Sequence, residues 1–377
     1  MEKIYIQKIE IKKVRHLSNE KIDLSKEDIG HLIITGKNGS GKTSVLDALS
    51  ELFDSMSKHD NTIEEKLKNG LEVVFNVSHQ TIKRAFQKGE LVLAYYKDER
   101  KFYANIPKHV EKVELKDFYS ISEEARTEFV KYLLDMKMTE ALAARAGKND
   151  KANRITKWFE KFENILKDIY MDESVKLDFD EETFEFHILQ KGKEPFGFNE
   201  LSRGFAAILD VVIDLMIRME NHIKRPFCYD VPGIVLIDEI ETHLHLELQK
   251  KIMDILTSLF PNIQFIVSTH SPFVLNSISN TTIYDLEKKI TVQGGLKQVS
   301  YDGIVESYFD VDRLSDDLRK CFERYKELIE KPILSDEDFV EISELELYLS
   351  EIPDYLMLDV STEFQRCKAE FEMGEDI

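Results

Sequence analysis

Cysteine is scarce in this sequence of 377 residues, and Cys228, Cys321 and Cys367 lie far apart with no Cys-x-x-Cys pair. This spacing excludes a readable disulfide framework or cysteine zinc site and favours a reducing compartment. Long apolar runs are also missing: no stretch of 18 or more apolar residues occurs, so no transmembrane helix is predicted. No signal-peptide pattern precedes the strand-like start. We therefore expect a cytoplasmic protein with no membrane partner.

Positive charge is in deficit. The formal net charge is −20, which argues against a generally basic nucleic-acid-binding surface. Residues 301–377 carry 23 acidic and 8 basic side chains, a net charge of −15. Two interpretations stay open for this acidic segment. It is either a solvated helical face, or a tail that docks a basic partner or shields a site.

Hydrophobic periodicity predicts a sheet interrupted by helices. Residues 1–35 read as strands, and a helical period replaces the strand pattern from residue 116. After residue 200, short apolar strands alternate with amphipathic helices, which is typical of a parallel α/β sheet. Beyond residue 300 the pattern is helical and acidic.

A glycine-rich loop follows the apolar run 31–35 and opens a predicted helix. The loop fits G-x-x-x-x-G-K-[ST], whose backbone N–H groups surround phosphates at a helix N-terminus. Lys42 is predicted to reach the β- and γ-phosphates of ATP, and the Thr43 hydroxyl to ligate Mg²⁺. The predicted ATP-binding residues of the loop are Gly36, Lys37, Asn38, Gly39, Ser40, Gly41, Lys42, Thr43 and Ser44.

Two acids end a second apolar strand, in the run Ile234–Glu239. The carboxyl end of such a strand is where α/β proteins bind ligands. Asp238 is predicted to hold Mg²⁺, and Glu239 to polarise the attacking water, the two tasks that phosphoryl transfer requires.

Two further motifs complete the pattern. His270 lies in Ser-Thr-His-Ser-Pro after the next apolar strand, where it could hydrogen-bond the γ-phosphate. The run Leu201-Ser202-Arg203-Gly204 precedes a long predicted helix. Ser202 and Gly204 there form either an anion-binding helix start or an ordinary helix cap.

These four motifs, in this order, resemble the ABC-type ATPases, and the RecF, SMC and OLD branch more than the transporters. Their Walker A, signature, Walker B and switch histidine correspond to the loop 36–43, the run 201–204, the run 234–239 and His270. Walker B continues like the DExExxLH of that branch. Arg15 resembles the early arginine that touches nucleotide in such heads.

The resemblance implies a head that dimerises, or forms a higher homo-oligomer, around ATP. Ser202 of one copy would close on the γ-phosphate bound by Lys42 of the other. The signature departs from the usual pattern, with Arg203 in place of a glycine. The glutamine loop has two candidates, Gln80 and Gln87, and neither is preferred.

The implied fold class is α/β: a P-loop NTPase with an ABC-type head, an N-terminal β subdomain, a helical insertion and an acidic helical C-terminal segment. The predicted divisions are two ATPase lobes (1–115 and 186–300), the helical insertion (116–185) and the C-terminal segment (301–377). No apolar strand ending in Glu-Gly follows His270, and the Asp310–Asp312 pair reads as solvated. No nuclease activity is therefore predicted in this chain.

Heads of this size resemble the ATPase subunits of bacterial anti-phage systems such as Septu and PARIS, which restrain a separate effector, often a nuclease. The leading hypothesis is therefore an ATPase that controls such an effector. The alternative is a RecF-like repair ATPase that binds DNA directly through residues 137–168, which carry net +3 with Trp158 and Phe159 among the cations. The other interpretation of this segment is a helical hairpin with solvated lysines and a packed tryptophan. A transporter ATPase fits poorly, and His243–His245 lacks a third metal ligand.

Overall fold

A computed structural model of the chain describes residues 3–25, 27–58, 70–100, 102–107, 109–220, 229–299, 303–304, 316–331, 333–350, 363–369 and 371. The chain divides into two compact units, Met1–Tyr301 and Asp302–Ile377. The candidate Asp310–Asp312 pair lies outside the described residues.

The centre of the first unit is a six-stranded sheet. In spatial order its strands are β12 (Ile290–Gln293), β11 (Thr281–Asp285), β3 (His31–Thr35), β10 (Ile263–Ser268), β9 (Gly233–Ile237) and β5 (Val92–Tyr96). All neighbours pair in parallel except β11 and β12. Every residue of β3, β9 and β10 is buried. This explains their continuous apolar sequences, because helices or strands cover both faces of such a sheet.

A three-stranded antiparallel sheet forms the N-terminal β subdomain. Its strands are β2 (Leu17–Asp23), β1 (Ile6–Val14) and β4 (Leu71–Phe75), with β1 in the middle. Ile9 stands opposite Ile22 on one side and Val73 on the other. These side chains join one core with the first helix, because alternate residues of each strand point to the same face.

In the described part of this unit, five helices accompany the two sheets. They are α1 (Lys42–Lys58), α2 (His79–Gln87), α5 (Arg203–Glu220), α6 (Leu246–Leu259) and α7 (Pro272–Leu275). Helix α1 buries Val45, Leu46 and Leu49, which share one face at helical spacing. Gln80 and Gln87 are both exposed on α2, so the structure assigns neither of them to a glutamine loop.

The insertion is a helical hairpin followed by a small sheet. Helices α3 (Phe129–Arg145) and α4 (Asn149–Tyr170) pack against each other, and strands β6 (Lys176–Asp180), β7 (Glu185–Leu189) and β8 (Phe196–Gly197) follow. The boundary placed between residues 185 and 186 cuts this sheet, because β7 begins at Glu185, which pairs with Asp180.

The C-terminal unit has its own small core. Helices α8 (Asp316–Ile329) and α9 (Asp336–Ser350) contact each other, and residues 363–369 are also helical. The buried side chains come from these three segments: Leu318, Phe322, Tyr325, Leu328, Ile342, Leu349, Phe364 and Cys367. Many of the acids lie outside this core, and Glu341 and Asp338 pair with Arg324 and Lys331 across the helix hairpin.

The predicted fold class is confirmed: the chain contains an α/β P-loop domain with an N-terminal β subdomain, a helical insertion and helices in the C-terminal unit.

The contact between β9 and β5 generates a stability prediction. A Cβ added at Gly233 would lie 2.8 Å from the Val92 carbonyl oxygen, on the paired strand. Gly233→Ala should therefore lower the free energy of unfolding by about 1–3 kcal/mol, measured by denaturant unfolding. The control is Gly197→Ala, whose added Cβ would have its nearest neighbour at 4.0 Å. Equal losses in the two variants would contradict the packing argument.

Candidate nucleotide site

The glycine-rich loop joins β3 to α1 at the carboxyl edge of the central sheet. Gly36 and Gly41 have φ angles of +133° and +102°, which residues with a Cβ rarely adopt. A Cβ at Gly41 would also lie 2.9 Å from Leu17 Cδ1 in β2. Glycine is therefore required for the tight turn and for its close approach to the β subdomain.

Lys42 is buried beneath this loop. Its Nζ donates to the carbonyl oxygens of Gly36 at 2.9 Å and Lys37 at 3.2 Å. Burial lowers the pKa of Lys42, and the carboxylates of Glu239, Glu241 and Asp238 oppose that shift. The ammonium group thus faces the acids that follow β9, and its bonded partners among the described residues are neutral carbonyls.

The other loop residues surround Lys42. The Lys37 side chain points outward and its Nζ lies 2.8 Å from Glu287 Oε1, in the turn after β11. Asn38, Gly39 and Thr43 are exposed, whereas Ser44 is buried in the first turn of α1.

Asp238 and Glu239 follow β9 and are held by the last residue of β10. The Ser268 hydroxyl donates to Asp238 Oδ1 and accepts from the Glu239 backbone N–H at 2.8 Å. Glu239 has φ +45°, a left-handed conformation that costs about 1–2 kcal/mol in a residue with a Cβ. Strain of this kind persists only where neighbours hold it, and it is concentrated at functional sites.

His270 lies two residues beyond β10 and faces the same space. Its backbone N–H donates to Glu241 Oε1 at 2.5 Å. Burial and the nearby Lys42 ammonium lower the pKa of His270. This shift favours the neutral imidazole, which can donate one N–H to a phosphate oxygen without adding charge.

Several buried polar atoms at this edge have no hydrogen-bond partner among the residues that the structure describes. Each belongs to a residue that ends or follows β3, β9 or β10: Thr35 Oγ1, Ser40 Oγ, Glu241 Oε2 and His270 Nε2. An unsatisfied buried polar group costs about 1–3 kcal/mol. Phosphate oxygens and the water around Mg²⁺ could bond these atoms. Thr43 and Asp238 also offer the oxygen ligands that Mg²⁺ prefers. The residues present therefore fit Mg²⁺ and ATP.

The signature run lies at the start of α5. Gly204 is buried, and a Cβ there would lie 2.8 Å from the His243 carbonyl oxygen, so this helix start packs against the turn after Glu239. Ser202 and Arg203 are exposed. No hydrogen bond among the described residues joins Ser202 to the loop 36–44. Its predicted role in a second copy stays a prediction.

Arg15 is placed near α1 by the turn between β1 and β2. Its φ is +51°, and its exposed guanidinium lies 3.8 Å from Asp47 Oδ2. The next residue touches the loop itself: His16 Nε2 lies 3.1 Å from the Ser40 carbonyl oxygen. A nucleotide contact by Arg15 stays a prediction.

Sequence reasoning missed three residues of this site. Ser268 stood inside the switch motif, and Glu241 is the third acid of the DExE pattern, so both had a local signal. Arg100 had none. It follows β5, and its guanidinium donates to the carbonyl oxygens of Asp238 at 2.8 Å and Glu239 at 2.8 Å.

Comparison with protein families agrees with this geometry. Residues 84–276, just over half of the chain, match the family described as "AAA domain, putative AbiEii toxin, Type IV TA system". Residues 4–88 match a second AAA-domain model. The chain belongs to the AAA-domain ATPases.

Individual relatives of this AAA ATPase are similar over different lengths. The Septu protein PtuA of Bacillus mycoides is 28% identical over 92% of the chain and 50% of that protein. The retron Ec83 probable ATPase of Escherichia coli is 33% identical over 40% of the chain and 29% of that protein. The chain thus spans half or less of these two proteins. A second Septu protein PtuA, from Bacillus thuringiensis, is 22% identical over 73% of the chain and 74% of that protein.

Solved structures similar to this AAA ATPase include an SMC head bound to the C-terminal winged-helix domain of ScpA. The match covers 78% of this chain and 100% of that head, at 17% sequence identity and a TM-score of 0.41. The SMC head of Thermotoga maritima has a TM-score of 0.39 at 15% identity, covering 76% of the chain and 97% of that head.

Among the described residues, no helix is long and apolar enough to cross a membrane, and no group of three His, Cys, Asp or Glu side chains could hold a metal ion.

The buried ammonium of Lys42 generates a binding prediction. Lys42→Ala should weaken ATP binding at least about 30-fold, because losing one partner of a buried charge contact costs about 2–5 kcal/mol. Isothermal titration or a fluorescent ATP analogue measures the dissociation constant. Lys88→Ala, which removes an exposed lysine at the end of α2, is the control and should leave the constant unchanged. Retained affinity in Lys42→Ala would refute the nucleotide site.

Proposed function

We propose that the chain binds Mg²⁺ and ATP at this site, hydrolyses ATP to ADP and phosphate, and uses the cycle to control a separate effector in bacterial anti-phage defence. The observation that carries the proposal is the convergence of Lys42, Asp238, Glu239 and His270 at one edge of the sheet. Two relatives named as Septu PtuA and one named as a retron ATPase support the setting.

Each residue has a separate task in the proposed reaction. Lys42 would turn from its loop carbonyls towards the β- and γ-phosphates, and Thr43 and Asp238 would hold Mg²⁺. Mg²⁺ supplies charge neutralisation when bound. Glu239 orients and polarises the attacking water, and the neutral His270 donates to the γ-phosphate. Phosphoryl transfer relies on such positioning and electrostatic stabilisation more than on covalent chemistry.

We further propose that two copies close face to face around ATP. Ser202 is exposed at the start of α5 and has no hydrogen bond to the loop of its own chain. A helix start with exposed backbone N–H groups suits the γ-phosphate of a facing copy. Gly204 packs against the turn after Glu239, so contact at the signature would press directly on the segment that carries the catalytic acid.

The effector is proposed to be a separate protein, with a nuclease as the leading class, and not an activity of this chain. The resemblance to Septu and PARIS heads supports this assignment. The acidic residues of 301–377 would suit a basic surface on such a partner. A cytoplasmic location is part of the same proposal.

Replacing the proposed catalytic acid tests the cycle. Glu239→Gln keeps the size of the side chain but removes the charge that polarises water. Hydrolysis should fall by about 10²–10⁴-fold, while ATP binding is kept and dimers accumulate with ATP. Phosphate release and light scattering measure the two effects. Glu51→Gln, which removes an exposed acid of α1, serves as the control. Unchanged turnover in Glu239→Gln would move the role to another residue.

Direct DNA binding is a second candidate, and one observation favours it. Five exposed cations at the tip of the helical hairpin have no ion-pair partner among the residues that the structure describes: Arg145, Lys148, Lys151, Arg154 and Lys157. Trp158 and Phe159 are not available for base stacking, which agrees with the interpretation of this segment as a helical hairpin with a packed tryptophan. They are 4% and 8% exposed and pack against Phe162 and Phe186. Any contact would therefore be with phosphates, without base recognition.

Salt dependence tests this second candidate. If the five cations each neutralise one phosphate, log K for duplex DNA should fall with log salt with a slope of about −4.5. Arg154→Ala should reduce the magnitude of the slope by about 1, whereas Lys88→Ala should leave it unchanged. Fluorescence anisotropy between 50 and 200 mM NaCl, about the range where such contacts are most visible, provides the measurement. No binding at the lowest salt would reject direct DNA binding.

A further inference from the structure

Arg100 is a buried arginine that follows the edge strand β5. Its side chain is 5% exposed. It hydrogen-bonds to the three consecutive carbonyl oxygens that follow β9. Nη1 donates to Asp238 at 2.8 Å, and Nη2 donates to Glu239 at 2.8 Å and to Ile240 at 3.2 Å. The planar guanidinium suits this task, because its donors point in one fork towards neighbouring acceptors.

The partners of this guanidinium are unusual for a buried cation. Among the described residues no carboxylate lies within ion-pair distance of Arg100, and the carboxylates of Asp210 and Glu241 act on it only from a longer range. A buried charge normally has an opposite charge as its direct partner. Here the guanidinium instead donates its hydrogen bonds to three backbone carbonyls, all in the segment that carries Asp238 and Glu239.

The segment that Arg100 holds is strained. Glu239 has φ +45°, a conformation that an L side chain rarely adopts. It is held on its N–H side by the Ser268 hydroxyl at 2.8 Å and on its carbonyl side by Arg100 at 2.8 Å. These contacts restrain the backbone from which the carboxylate extends, and the carboxylate itself accepts from the Thr242 hydroxyl at 3.2 Å. The same carbonyl oxygen of Glu239 also accepts from the Thr242 backbone N–H at 2.9 Å, so the loss of Arg100 removes one of the two contacts on this side and the restraint from Asp238 and Ile240 with it.

We propose that Arg100 is a positioning residue for ATP hydrolysis, which fixes the left-handed backbone of Glu239 and thereby the direction of its carboxylate towards the attacking water. This inference rests on the proposed catalytic role of Glu239. Arg100 acts through the Walker B backbone, so its loss changes the turnover number and leaves the affinity for ATP in place.

Two variants and a rescue test this role in the full chain. Arg100→Lys keeps the charge but places it on one ammonium, which cannot bridge three carbonyls. Arg100→Ala removes it and opens space beside a surface cavity of about 350 Å³ that Arg100, Lys97 and Asp98 help to line. The control is Lys97→Ala, which removes an exposed cation from the same loop. Turnover number, Michaelis constant and ATP dissociation constant are measured for each variant, with melting temperatures to check folding.

We expect kcat to fall about 100-fold in Arg100→Ala, because small misplacements of a catalytic group have effects of this size. The fall should be smaller in Arg100→Lys and absent in Lys97→Ala, with ATP affinity within about twofold in all three. Ethylguanidinium added at millimolar concentration should restore part of the kcat of Arg100→Ala, whereas ethylammonium should not. A merely structural role would not respond to the added guanidinium.

The outcomes separate this inference from the function on which it rests. Normal kcat in Arg100→Ala, with Glu239→Gln inactive, would overturn the positioning role and leave the proposed ATPase intact. A loss of ATP affinity equal to the loss of kcat would also overturn it. Full activity in Glu239→Gln would overturn the assignment of the catalytic acid and this inference together. If Arg100→Ala does not fold, the test uses Arg100→Lys instead. A lower kcat at an unchanged KM then supports the positioning role, and a normal kcat contradicts it.

Discussion

The parallel register of β3, β10 and β9 is the constraint on which the site depends. Ile33 is paired with Val267, and Val267 with Ile237, so the three strands end in one row. Whatever residue follows each strand therefore reaches the same edge. The phosphate loop, the paired acids and the histidine meet there because the backbone hydrogen bonds align their strands, and not through direct attraction between their side chains.

Polar contacts between neighbouring strand ends refine this alignment. Ser268 closes β10 and joins it to both acids after β9, while Glu241 accepts from the backbone of His270. These contacts cross from one strand end to the next, so a shift at any one of them is transmitted to the others. Low local dielectric strengthens such a network, and it makes each unsatisfied atom costly. The unpartnered atoms of Ser40, Glu241 and His270 are consistent with a site built for a ligand.

Charge is distributed unevenly over the molecule. The acidic C-terminal unit has a small apolar core of its own, whereas the helical hairpin carries five exposed cations without an ion-pair partner in the described part of the chain. The net charge of −20 is a sum over the whole chain, so it does not give the local charge of either surface. The two surfaces would attract partners of opposite sign, and the acidic unit fits the proposed effector better than it fits nucleic acid.

The sequence by itself determined the parts of the site that are local. The loop 36–44, the acids after β9 and the switch histidine each lie within a few residues of a buried strand, so their spacing and chemistry were readable. Hydrophobic pattern also predicted the α/β class and the apolar face of α1, because burial imposes the same period along the chain.

Only the tertiary structure decided the contacts that join distant segments. Arg100 reaches Asp238 across 138 residues, and no pattern near either residue signals the pairing. The sequence left open whether Trp158 and Phe159 form a nucleic-acid surface beside the lysines or pack inside a helical hairpin, and the structure shows them buried by the hairpin and the small sheet. A sequence lists which side chains are near each other along the chain. Which of them face one another, and which are removed from water, depends on how the strands and helices pack.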